Sequence, residues 1–343
     1  MKTIVAHAAK DLRLEERDPP TPGAGEVLIR LAAGGICGSD LHYYAHGGFG
    51  TVRLREPMIL GHEVSGVIEA LGEGVTGLQL GQLVAVSPSR PCGDCDYCRE
   101  GAQNHCLNMR FYGSAMPFPH IQGAFRELLV ADAAQCAVAD GLTAAEAAMA
   151  EPLAVVLHAA KQAGDLMGKR VLVTGCGPIG LLAVIVAKAA GAVEIVATDI
   201  TEFTTDMARK IGADAAHNVV KLPEALADYT ADKGHFDVLF ECTGVAAVVG
   251  SAVPALRPRA TMVQLGLGGD MVLPVQAMTA KELVLKGSFR FHAEFASAVA
   301  LMRGGQVDVT PLVTQSKALS EFGEAFELAS DRNAAIKVQI AFS

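Results

Sequence analysis

Apolar positions change rhythm along the chain. Early runs are short: Thr3-Ile4-Val5, Val27-Leu28-Ile29-Arg30-Leu31, Val64-Ser65-Gly66-Val67-Ile68 and Leu83-Val84-Ala85-Val86. They alternate with punctuation such as Asp18-Pro19-Pro20-Thr21-Pro22-Gly23, a pattern of short strands in a β-rich barrel or sandwich. From Gly141 the texture changes to helix-favouring residues, Thr143 to Ala163. Then Lys169-Arg170-Val171-Leu172-Val173-Thr174 reads as a buried parallel strand, followed by the apolar helix Leu181 to Ala190. Further strands are predicted at Val193 to Asp199, Phe236 to Cys242, Ala260 to Gly266 and Glu282 to Gly287, and a helix at Phe295 to Arg303. Strands alternating with helices predict an α/β protein: a β-rich first module, then a doubly wound parallel sheet. A short β-like tail closes the chain at Lys337 to Ile340.

Length and charge narrow the partners. With 343 residues the chain is long enough for two domains. At 51% hydrophobic and 19% charged residues it is globular and core-forming, not disordered. A net charge of -9 argues against nucleic acid or an anionic membrane surface as a partner, because both need a basic field. Backbone amides could still bind one anionic cofactor. The N-terminal apolar run breaks at His7 and Lys10, unlike a signal peptide, and the apolar stretch Gly180 to Ala197 is interrupted by Lys188 and Glu194. The expected setting is therefore cytoplasmic, where eight cysteines point to thiols or metal rather than disulfides.

Five of those cysteines fall into two kinds. Cys37 lies in Gly34-Gly35-Ile36-Cys37-Gly38-Ser39-Asp40-Leu41-His42, and Gly61-His62-Glu63 follows downstream. Thiolate, imidazole and carboxylate are the protein ligand types of zinc, and three of them leave a fourth position open. Cys92, Cys95, Cys98 and Cys106 instead form a C-x2-C-x2-C-x7-C run. Four thiolates close a tetrahedral structural zinc site. The common iron–sulfur run has three residues before its last cysteine and a proline after it. Here Leu107 follows Cys106, which favours zinc.

The predicted strand ending at Thr174 runs into Gly175-Cys176-Gly177-Pro178-Ile179-Gly180 and a helix, and the next strand ends at Asp199, nineteen residues after Gly180. Strand, GxGxxG, helix, strand and terminal acid together predict dinucleotide binding. The helix N-terminus would meet the pyrophosphate, and Asp199 the adenosine ribose. No Arg or Lys follows Asp199 before Arg209, which favours NAD over NADP. Thr243-Gly244 and Leu265-Gly266, at the ends of later strands, are candidate contacts on the nicotinamide side.

Taken together, these motifs resemble the zinc-containing medium-chain alcohol dehydrogenases over essentially the whole chain. Cys37 to Tyr43 and Glu151-Pro152-Leu153-Ala154-Val155 resemble the polyol dehydrogenase branch (sorbitol, xylitol). Arg110-Phe111-Tyr112-Gly113-Ser114-Ala115-Met116-Pro117-Phe118-Pro119-His120 and Gly287-Ser288-Phe289-Arg290-Phe291 resemble the bacterial L-idonate 5-dehydrogenases. The resemblance implies a GroES-like catalytic domain over 1–150, carrying a structural zinc lobe at 92–106. It implies a Rossmann NAD-binding domain over 151–287, and a segment 288–343 that returns to the catalytic domain. It also implies a catalytic zinc on Cys37, His62 and Glu63 with Glu151 at or near the fourth position, and Asp40 fixing the tautomer of His62. Ser39 and His42 would pass the substrate proton toward solvent, while Tyr43, Arg110, Phe118, His120 and Arg290 would face the substrate. The expected substrate is a small sugar acid, with L-idonate first, or a polyol. A homotetramer is expected by analogy. The reading from another class is a non-catalytic nucleotide-binding zinc protein.

Overall fold

The computed structural model describes residues 1–342. Its chain divides into two compact units, one formed by Met1–Ala154, Phe291–Asp331 and the chain from Lys337 on, the other by Val155–Arg290 and Arg332–Ile336.

The first unit is β-rich. Seven strands form one sheet around Glu26–Gly35, which pairs antiparallel with Glu63–Leu71, Leu128–Asp132 and Lys337–Ala341. Alternation explains the first of these strands: Val27, Ile29 and Leu31 are buried and Arg30 points out. Register does chemical work here. Gly35 stands opposite Glu63 on one side and Gln339 on the other. Three segments far apart in sequence therefore meet just before Cys37. A side chain on Gly35 would not fit, because an added Cβ would stand 2.1 Å from Glu63 Oε2. Leaving this strand, the chain turns at Cys37, which caps the helix Gly38–His46. Sequence reasoning left Cys37 in a glycine-rich turn. The helix begins there because Asp40, at its third position, accepts the Cys37 backbone N–H.

The second unit is a six-stranded parallel sheet. Its spatial order is Ala215–Asn218, Glu194–Asp199, Arg170–Thr174, Phe236–Glu241, Leu256–Gln264, Val284–Gly287. Numbered along the chain this is 3-2-1-4-5-6, the doubly wound dinucleotide-binding order. Its strands are continuous apolar runs because both faces are covered: Val171, Leu172, Val173, Leu239 and Phe240 have no exposed surface. Each large side chain so buried contributes roughly 1.5–3 kcal/mol. The helix Pro178–Ala189 is buried from Gly180 to Ala187. The helix Glu202–Ile211 and the strand Val313–Ala318, the latter in the first unit's sheet, had no clear apolar run to announce them. Among the described residues no helix is long and apolar enough to cross a membrane.

Candidate active site and metal centres

The first unit gathers Cys37, His62 and Glu63 so that one ligand atom from each lies within 4.8 Å of the others. His62 and Glu63 are buried and Cys37 is half-buried. Asp40 ties them together. With no exposed surface, it accepts the N–H of Cys37 at 3.0 Å through one oxygen and that of Gly61 at 3.0 Å through the other. This corrects the expected contact with His62, whose Nδ1 lies 3.8 Å from Asp40 and has no hydrogen-bond partner. Both Asp40 oxygens already hold backbone. The carboxylate fixes the two ligand loops rather than the imidazole tautomer.

The charge pattern fits a cation. Burial favours a neutral His62, yet Asp40, Cys37 and Glu151 around it raise its pKa well above the ordinary histidine value. Glu151, at the start of the helix Ala150–Ala163, is buried and pushed up to about 7, chiefly by desolvation, with His62 opposing and Glu63 adding. It lies outside the 4.8 Å set. A buried, anion-rich pocket offering sulfur, nitrogen and oxygen is a chemical match to zinc.

Sequence reasoning missed Lys337. Its Nζ donates to both Glu63 oxygens at 2.8 Å and to the Ile36 carbonyl at 3.2 Å. Lys337 is 2% and Glu63 1% exposed at the side chain, so this is a fully buried ion pair. Burial opposes its charge, but Glu63 and Cys37 outweigh that and raise its pKa. The signal was present as a lysine opening a buried strand; its partner could not be read.

The other four cysteines also converge. All four sulfurs lie within 4.8 Å of one another. A tetrahedral site with Zn–S near 2.3 Å needs sulfurs about 3.8 Å apart. Backbone N–H groups of Cys92 and Asn108 donate to Cys106 Sγ at 3.2 and 3.3 Å. Amides of Leu107 and Cys98 pull the Cys95 thiol down to about 6.

In the second unit the turn after Thr174 is built for close approach. Gly175 has φ +84, and a Cβ on Gly180 would stand 1.7 Å from the Gly175 carbonyl. A Cβ on Gly177 would meet no protein atom, so the space beside this helix N-cap is open to a ligand. Pro178 and Ile179 open the first turn of the helix. Asp199 accepts N–H groups of Cys176 at 2.5 Å, Ile200 at 2.6 Å and Thr201 at 3.2 Å. Across the strand-order reversal, the buried Glu241 accepts N–H from Thr243 at 2.8 Å and Gly244 at 2.9 Å, while its carbonyl accepts from Leu265 and Gly266. Thr243-Gly244 and Leu265-Gly266 are thus braced by one strand end. Sequence reasoning had no signal for Glu241.

The substrate candidates divide. Ser39 is half-buried and His42 exposed, three residues apart on one helix. Tyr43 is buried, its hydroxyl accepting the Ala115 N–H at 3.0 Å. His120 is corrected to a structural residue: Nε2 accepts the Arg55 N–H at 2.9 Å and Nδ1 donates to the Pro117 carbonyl at 2.9 Å, leaving neither nitrogen for a substrate. Arg110 is exposed on a two-residue strand paired with Ser89–Arg90, close in sequence to the four-cysteine loop. Phe118 is exposed beneath the Arg55 guanidinium. Arg290, in the second unit, has φ +53 and lies over the Phe289 ring.

Known proteins resemble this chain. Residues 23–140 match the alcohol dehydrogenase GroES-like domain, and 178–304 the zinc-binding dehydrogenase domain. The L-idonate 5-dehydrogenase (NAD(P)(+)) of Escherichia coli (strain K12) is 42% identical over 321 residues, 92% of each chain. The chain belongs to the zinc-containing medium-chain alcohol dehydrogenases. Within this family the sorbitol dehydrogenase of Gallus gallus is 37% identical over 342 residues, 98% of this chain and 95% of its own. The crystal structure of the Escherichia coli L-idonate 5-dehydrogenase superposes with TM-score 0.95 at 40% identity, covering 99% of this chain and 98% of that one. A zinc dehydrogenase is an oxidoreductase acting on CH–OH, which replaces the non-catalytic reading.

Proposed function

We propose that this dehydrogenase oxidises a secondary alcohol of a sugar acid with NAD, L-idonate to 5-dehydro-D-gluconate being the first choice. The convergence of Cys37, His62 and Glu63 carries the reaction class, and 42% identity to an L-idonate 5-dehydrogenase supports the substrate. A bound zinc would supply Lewis acidity toward the substrate oxygen, and a bound nicotinamide would supply the hydride acceptor. The chain's own residues do the rest. Cys37, His62 and Glu63 hold the metal, with Glu151 facing the open side. Ser39 takes the hydroxyl proton, and His42, on the exposed face of the same helix, is the outlet of that relay.

Gly175, Gly177 and the helix from Pro178 receive the pyrophosphate, Asp199 the ribose, and Thr243, Leu265 and Gly266 the nicotinamide end. Asp199 would repel a 2′-phosphate, and Arg209 is already engaged with Asp206 and the Ala216 carbonyl. This supports NAD over NADP. We assign a second, structural zinc to the four cysteines, the catalytic domain to 1–150 with 288–343, and the nucleotide domain to 151–287. A cytoplasmic homo-oligomer, tetrameric by analogy, completes the reading.

The test is turnover of L-idonate, sorbitol and xylitol with each cofactor. L-Idonate with NAD is expected to have the highest kcat/KM. Sorbitol ahead by about tenfold, equivalent to 1.4 kcal/mol, would replace the first choice with a polyol dehydrogenase.

A further inference from the structure

Arg55 is a cation that the mechanism above leaves unused. Among the described residues it has no ion-pair partner, and its guanidinium lies 4.2 Å over the Phe118 ring. Its setting is built. The Arg55 N–H is held by His120 Nε2, whose other ring nitrogen is held by the Pro117 carbonyl. The neighbouring acid, Glu56, accepts the His120 backbone N–H at 2.6 Å. Arg53, two residues earlier, donates to the Val52 carbonyl.

The segment under Arg55 starts at the metal ligands. Phe111 packs its ring 5.7 Å from that of His62. Gly113 abuts Gly61: an added Cβ would stand 3.2 Å from the Gly61 carbonyl. Ser114 and Ile121 then exchange backbone hydrogen bonds at 3.2 and 3.1 Å, closing a hairpin, and Ala115 is fastened to the Tyr43 hydroxyl. Pro117 and Phe118 lie in the bend that this pair closes. One wall therefore has a zinc ligand at its foot and an acid-free guanidinium at its rim.

We propose that Arg55 binds the carboxylate of the substrate and so selects a polyhydroxy acid over a neutral polyol. The inference rests on the sugar-acid reading above. Stacking on Phe118 orients the guanidinium plane before the substrate arrives. Its fork of N–H donors matches a carboxylate in a way that a point charge does not. Because Arg55 has no internal acid, binding an anion breaks no existing pair. Arg55 is exposed and water screens it, so the selectivity should be tens-fold rather than thousands-fold.

The test uses the full-length zinc-loaded enzyme, Arg55→Met and Arg55→Lys. Kinetics with L-idonate and sorbitol are measured beside melting temperature and competitive inhibition by D-gluconate. Arg55→Met is expected to raise KM for L-idonate and Ki for gluconate roughly tenfold or more. The sorbitol kcat/KM and melting temperature should stay unchanged, with Arg55→Lys in between. Equal losses on both substrates would make Arg55 a support of the hairpin and overturn the proposal, as would no loss on either. If the wild-type enzyme itself oxidises sorbitol but no sugar acid, the parent reading fails, which is visible before any variant is made.

Discussion

Glu63 shows how one side chain is pulled in two directions. It offers a carboxylate to the metal set, yet both oxygens are also held by Lys337 at 2.8 Å. The pair is fully buried, so neither charge can be removed alone without leaving the other desolvated. Lys337→Met should cost about 3–5 kcal/mol of unfolding free energy, measured by urea denaturation of the metal-loaded protein. A midpoint equal to wild type would mean that Glu63 needs no internal counter-charge. Asp40 works in the same place by hydrogen bonding instead, spending its two oxygens on the loops that carry Cys37 and His62. The residue types of this site were legible in Cys37, His62 and Glu63. Lys337 and the double role of Asp40 were not, because their partners are chosen by strand register and helix capping.

The 92–106 loop has little secondary structure of its own to hold it together without metal. It contains only a four-residue helix and a three-residue 3₁₀ turn, and Cys92 is exposed. Four converging sulfurs are its substitute for a core. On the two-zinc reading proposed above, Cys95→Ser should lower the metal content to about one zinc per chain and make the loop a preferred protease site. Undiminished zinc by atomic absorption would count against a four-sulfur site. This element was legible from spacing alone, as was the turn from Gly175 to Gly180, because both motifs are local in sequence. His120 was not: a histidine beside a glycine-rich, aromatic stretch suggested substrate contact, whereas the fold spends its ring on Arg55 and Pro117.

For the whole molecule, assembly has a physical handle. The strand Val284–Gly287 ends the parallel sheet, and all four of its residues are exposed, Val284 at 42% and Leu285 at 43%. An apolar sheet edge invites pairing with another chain unless it is covered. We expect a second copy to cover it. Leu285→Lys should shift sedimentation toward a smaller species while leaving zinc content intact. An unchanged sedimentation coefficient would move the interface elsewhere.

Sequence by itself determined the α/β class, the dinucleotide turn, the four-cysteine set and the candidate metal-ligand types of the Cys37 site. Each is written in spacing or periodicity, which short-range geometry converts directly into structure. Tertiary structure alone decided that Gly35, Glu63 and Gln339 share one register, and that Lys337 reaches back to Glu63. It also left Arg55 without an acid at the rim of the hairpin. Those are matters of which distant segments pair and which charges end up desolvated together. No local pattern encodes them, since they follow from closing the sheet as a whole.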